Sequence, residues 1–250
     1  MIEAVAARGA LDTANSVLQR IKAVFNYAIR TERAENNPAV PLTGLIRAPK
    51  QKHQPALPRE ELTEFYRRLL SEQIRPPTRI AMMLIMLIFV RAGELRRAEW
   101  AEFDFQAAEW RIPAEKMKMK APHIVPLADW PLELLAELKE MTGYSRYLFP
   151  SAHDPEKYMS ENTLSYLTGR MGCKGIATPH GFRALASSIL NEQGYNPDAI
   201  ERQLAHVEED RIRAAYNRAD YMDERREMMQ WYSDYLRERY RQALKQIQTP

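Results

Sequence analysis

Cysteine is almost missing from this chain. A single residue, Cys173, in a sequence of 250 excludes an internal disulfide and fits a reducing cytosol. Long apolar runs are missing as well. The longest, IAMMLIMLIFV at residues 80–90, falls well short of the ~20 residues that cross a membrane and reads as a buried core helix. The N-terminal MIEAVAARGA lacks the apolar stretch of a secretory signal, so a cytoplasmic protein with no membrane partner is expected. Excess charge of either sign is missing too: 36 basic against 33 acidic residues leave only +3, and any basic surface must be local. Five histidines are present, but no His-Glu-x-x-His and no second cysteine accompany them, which argues against zinc. Neither an internal repeat nor a low-complexity tract is evident. What remains is ordinary globular composition, 45% hydrophobic and 28% charged, in a chain long enough for one large domain and a smaller piece.

Apolar residues at helical spacing from Ala14 to Ile29 predict an amphipathic helix over 12–33, ended by Asn37-Pro38. The polar, proline-bearing APKQKHQPALP that follows reads as a linker, placed at 48–57, between a helical piece at 1–47 and a larger domain at 58–250. A lone helix cannot bury its apolar face within itself, so the first piece is expected to be incomplete, with further helices upstream of Met1. Beyond the linker, helices are predicted over 58–70, 78–90, 93–99, 131–141, 160–171, 179–192, 197–205, 209–217 and 223–242. Between 104 and 125, AEWRIP, KMKMK and PHIVPL alternate or carry β-branched residues, predicting a small antiparallel sheet. The fold class is mainly α with a small three-stranded antiparallel β-sheet (α+β).

Chemistry concentrates in TPHGFRALASSILNEQGYNPDAIERQLAHVEEDRIRAAY, residues 178–216. His180 and Arg183 share a helix face, His206 follows a second helical stretch, and Tyr216 lies ten residues beyond it. Cationic donors beside a phenol are what a tyrosine needs to attack a phosphodiester. The transition state gathers charge on non-bridging oxygens, which guanidinium forks stabilise. A phenol of ordinary pKa near ~10 needs its phenolate stabilised by such a surround.

These residues, with others upstream, resemble the tyrosine recombinases or phage integrases, above all prophage integrases of the P4 type. The family pattern TGxRxxEL is approached by Phe89-Val90-Arg91-Ala92-Gly93-Glu94-Leu95, which gives Arg91 the first arginine's role. The family lysine lies in a β-hairpin eight residues before the proline of a VPL motif; counting back from Pro126 selects Lys118, flanked by Lys116 and Lys120. His180 and Arg183 form the His-x-x-Arg pair, His206 ends Leu204-Ala205-His206 in place of Leu-Gly-His, and Tyr216 in AAYNRADY corresponds to the nucleophile. Tyr221 is a competing phenol read as a packing residue, Glu94 an orienting or helix-capping carboxylate, and His123 a hairpin residue.

The resemblance implies the tyrosine recombinase catalytic-domain fold and a site-specific recombinase working through a 3′-phosphotyrosyl intermediate. In that scheme Arg91 and Arg183 clamp the phosphate, His180 and His206 add hydrogen bonds, and Lys118 protonates the 5′ leaving oxygen. No metal or cofactor is implied. The partners implied are double-stranded DNA attachment sites, a homotetramer on DNA joined by C-terminal helix exchange, an excisionase and a host DNA-bending protein, with a location on the nucleoid. Residues 1–47 would then be the last part of a helical core-binding domain. Two rivals stay open at this point: a DNA-binding remnant without recombination, and a nicking and relaxing activity of the topoisomerase kind.

Overall fold

The computed structural model describes residues 2–45, 55–206 and 220–248. They fall into two compact units, Met1–His53 and Gln54–Pro250. In the first, α1 (Ile2–Ala7) packs on α2 (Leu11–Arg30), and Ile2, Ala14, Leu18 and Ala39 make a small core. The rest of the apolar side of α2 stays open, with Val24 and Tyr27 both more than 60% exposed. The helix ends earlier than its periodicity predicts. Glu32 adopts left-handed φ (+56°), Arg33 N–H bonds the Ala28 carbonyl and Glu32 N–H that of Ile29, a backbone stop that needs no proline. Most of the expected linker lies outside the described residues.

The second unit is built around α4 (Pro76–Ile88). Pro76 and Pro77 occupy its first turn, where missing N–H donors cost nothing, and every side chain from Ile80 to Ile88 is buried. A helix apolar all round must be wrapped on all sides. The wrapping comes from α6 (Asp129–Thr142), α7 (Thr163–Arg170), α8 (Gly181–Glu192) and the last helix, α10 (Met222–Gln248), on which α3 (Leu62–Ser71) packs in turn within the same core. The short α5 (Ala92–Leu95) follows α4, and α9 (Pro197–Gln203) follows α8. Met228, Met229, Tyr232 and Leu236 of α10 are buried within their own unit, chiefly on α3, so this helix closes its own core.

The sheet has order β1-β2-β3, all antiparallel: β1 (Phe103–Asp104), β2 (Glu109–Ile112) and β3 (His123–Pro126). KMKMK is not one of its strands. Residues Ala114–Lys116 form a 3-10 turn, and Lys120, at φ +56°, closes a second turn by donating its N–H to Met117. The alternation that suggests a strand instead reflects Lys116 drawn inward to Glu99 and Glu102 while Met117 is buried.

Candidate active site

Four elements bring the site together: the α4–α5 corner, the β2–β3 connection, the start of α8 and the end of α9. The corner turns on Phe89, which holds left-handed backbone (φ +36°, ψ +37°) although its bulky ring disfavours it, at a cost on the order of 1–3 kcal/mol. Burial of that ring edge-on against Tyr232 helps hold the conformation. The twist leaves the Phe89 carbonyl accepting a 2.8 Å bond from Arg183 Nη1. Arg91 is the N-cap of α5; its N–H bonds Glu94 Oε2 at 2.8 Å and its Nη1 bonds Glu94 Oε1 at 2.9 Å. Glu94, buried, therefore both caps the helix and orients the guanidinium, joining the two roles that its position suggested.

Arg183 is as enclosed as Glu94, 4% exposed. Besides Phe89 it donates from Nη2 to the Leu204 carbonyl at 2.7 Å and to His206 Nε2 at 3.0 Å. Burial, then the neighbouring Arg91, push its pKa down to about 10, against Glu94 and Glu201; it remains charged at neutral pH. Since a guanidinium only donates, His206 Nε2 must accept, and the Nδ1 proton points to Glu201 Oε2 at 2.6 Å. Ala205, between the two partners of Arg183, also has positive φ (+49°), and its carbonyl accepts from Arg91 Nη2 at 3.3 Å. The patterns TGxRxxEL and Leu-Gly-His carry glycine at positions 89 and 205. Here both are larger residues that keep the left-handed turn.

His180 precedes α8 and is exposed, yet partial burial, then Arg183, Arg91, His206 and Lys118, hold its pKa below the usual histidine range. It is thus a neutral imidazole set among cations. Gly181 beside it has a steric reason: a Cβ there would lie 2.0 Å from the Pro55 carbonyl oxygen, where the incoming chain crosses the start of α8. Lys118 sits on the exposed turn before β3, near enough to contribute to the field at His180. Of its neighbours, Lys116 is held in ion pairs with Glu99 and Glu102, while Lys120 is exposed. Arg183 is thus bonded directly to His206, and Arg91 to the Ala205 carbonyl in the same stretch of chain, with His180 and Lys118 around them. Tyr216 and the helix predicted over 209–217 lie outside the described residues.

The Phage integrase family matches residues 56–222, and the Phage integrase central domain matches residues 1–45. The chain belongs to the phage integrase family. The integrase of Enterobacteria phage P4 is 43% identical over 251 residues, covering 94% of this chain and 57% of that protein. Prophage integrase IntA of Escherichia coli K12 is 38% identical, with the same two coverages. The chain thus spans a little under three-fifths of each of these relatives. Among solved structures, a lambda integrase dimer bound to a COC' core site superposes with a TM-score of 0.64 at 19% identity, over 88% of this chain and 62% of that one. The integrase of transposon Tn1549, in complex with circular intermediate DNA, gives 0.62 at 17% identity, over 91% and 82%. These last two likenesses establish the tyrosine recombinase fold.

This integrase-family site has polar support that reading the sequence missed. His123, expected only to fix the hairpin, donates from Nε2 to the Gln203 carbonyl at 3.2 Å. Gln203 in turn accepts from Arg225, a buried arginine whose sequence context, MDERREMM, looks like a solvated helix start. Burial, then Arg225, push His123 down to about 3, with Arg202 and Arg183 acting in the same direction and its bond to Gln203 opposing them. A histidine kept neutral by folding stabilises the native state above its unfolded pKa near 6.5, and that contribution is lost as pH falls toward 3. At pH 5 the loss is about 2 kcal/mol. His123→Gln, which keeps an N–H donor without the titration, is expected to flatten the fall in melting temperature between pH 7 and pH 5; an unchanged slope would exclude His123 as its source.

Proposed function

We propose that this chain is the catalytic part of a site-specific DNA recombinase that cuts and rejoins duplex DNA through a 3′-phosphotyrosyl bond. The observation that carries this reading is the Arg91–Arg183–His206 cluster. It holds two fixed guanidinium groups, Arg91 partly exposed and Arg183 buried behind it, with a neutral imidazole and an exposed lysine nearby. In the proposed step the Tyr216 oxygen attacks phosphorus as its proton passes to a nearby base, for which neutral His180 is suited. The bond from phosphorus to the 5′ oxygen breaks, and Lys118 supplies the proton that oxygen takes up. Arg91 and Arg183 carry the added charge on the non-bridging oxygens. The phosphate ester formed with tyrosine keeps the bond's energy, so a 5′ hydroxyl from another strand can reverse the attack. The residue set supplies its own charge and proton transfers, and cleavage is expected to persist in a chelator.

DNA attachment sites are the proposed partners, and assembly of four protomers on DNA fits a lambda integrase tetramer bound to a Holliday junction. Helix exchange in such an assembly belongs to the DNA-bound state, because α10 is buried in its own unit here. Integration or excision of a prophage-like element is the proposed outcome, with residues 1–47 as part of a core-binding domain and an excisionase and a DNA-bending protein as accessories. The test is covalent capture. Incubated with a nicked duplex library randomised around the nick, the protein should yield a denaturant-stable adduct whose DNA converges on one sequence. DNA binding with no adduct would leave only the binding remnant, and an adduct that relaxes supercoils without exchanging strands would leave only the topoisomerase-like activity.

A further inference from the structure

Arg225 is 1% exposed and is among the largest fully buried side chains of the molecule. Its partners among the described residues are one side-chain amide and two main-chain carbonyls. Nε and Nη2 both donate to Gln203 Oε1, at 3.0 and 2.7 Å; Nη2 also donates to the Ile124 carbonyl at 2.5 Å, and Nη1 to the Asp220 carbonyl at 3.3 Å. Burying a cation on neutral acceptors is a poor way to gain stability, because desolvation costs several kcal/mol in effect. What the planar fork does offer is geometry, since one rigid group fixes three segments at once. Those segments are β3, the end of α9 three residues before His206, and the chain four residues after Tyr216.

The β3 attachment has a particular consequence. The Lys118 turn is held on one side by Lys116, bound to Glu99 and Glu102, and by buried Met117. On the other side it continues into His123 and Ile124, and both are fastened to the α9–α10 layer: His123 through the Gln203 carbonyl, Ile124 through Arg225. Lys118 itself is exposed, so its place relative to the phosphate depends on these two anchors. We infer that Arg225 is a positioning residue for leaving-group protonation, holding β3 and the Lys118 turn in register with α9 and the chain that follows Tyr216. This rests on the recombinase reading above.

The experiment compares two suicide duplexes of the captured sequence, one with the normal 5′ oxygen at the scissile phosphate and one with bridging 5′ sulfur. A thiolate leaves without a proton, so loss of general-acid positioning slows the oxygen substrate selectively. The quantity read is the ratio of sulfur to oxygen cleavage rates within one preparation, which does not depend on the folded fraction. Lys118→Ala should raise that ratio by roughly 10² or more, and Arg225→Met and Arg225→Lys by roughly tenfold or more. An unchanged ratio in both Arg225 variants, or loss of both reactions together, would overturn the inference, because misplacing the proton donor alone leaves sulfur cleavage intact. If the unaltered protein captures neither substrate, it is the recombinase reading that fails, and the inference with it.

Discussion

Tyr216→Phe is expected to remove the covalent protein–DNA adduct down to background while leaving duplex binding largely unchanged. The phenol oxygen is the proposed nucleophile, and a phenylalanine ring has no oxygen to take its place. Deleting a nucleophile costs several orders of magnitude in rate, on the scale of 10⁴ or more. Binding should survive because it draws on phosphate contacts from arginine and lysine, which the substitution does not touch. The comparison that gives the result its meaning is Tyr221→Phe. Tyr221 stands just before α10 with left-handed backbone (φ +48°), and its carbonyl accepts the Arg225 N–H at 2.8 Å. Its backbone is thus tied into the start of α10, and Tyr221→Phe should keep the adduct. Gel mobility in denaturant measures the adduct and fluorescence anisotropy the binding. An adduct that persists in Tyr216→Phe and vanishes in Tyr221→Phe would transfer the nucleophile to Tyr221.

How much of this was legible beforehand depended on whether an interaction leaves a local trace. The apolar run at 80–90 announced α4 because being buried on every side removes all polarity from a helix. Arg91, His180, Arg183 and His206 could be singled out because each lies in a short pattern, and the structure gathers them around the buried Arg183. Lys118 required counting from Pro126, and the sequence carries no sign that its neighbour Lys116 is held by Glu99 and Glu102. KMKMK imitates a strand because alternation records which side chains turn inward, and a 3-10 turn with one inward-drawn lysine produces the same record. The end of α2 was misplaced for a similar reason, since a left-handed glutamate carries no signal comparable to a proline.

The polar layer beneath the site left no trace at all. Arg225, Gln203 and His123 are separated by 22 and 80 residues in sequence and meet only through tertiary packing. Phe89 is a related case. Its left-handed backbone aims a carbonyl at Arg183, a role that a sequence pattern would assign to a glycine and that here depends on Tyr232, far along the chain, to hold the ring.

Arg183→Lys is the second substitution expected to have a large effect, because charge is the lesser part of what Arg183 provides. A lysine keeps the positive charge but offers one compact ammonium where the guanidinium now spans the Phe89 carbonyl, the Leu204 carbonyl and His206 Nε2. Two consequences follow from that geometry. At least one buried carbonyl loses its donor, a penalty of about 1–3 kcal/mol that should lower the melting temperature. His206 loses the donor that fixes its tautomer, and the phosphate loses a preorganised fork, so single-turnover cleavage at saturating protein should fall about 10²–10³-fold. Arg183→Ala should be no better in rate and worse in stability, since both carbonyls are then stranded. Affinity for the uncleaved duplex, measured alongside, separates positioning from binding: it should change far less than the rate. A lysine variant that cleaves at nearly the original rate would mean that a point charge suffices, and that the main-chain bonds of Arg183 serve the fold of the α4–α5 corner and not the reaction.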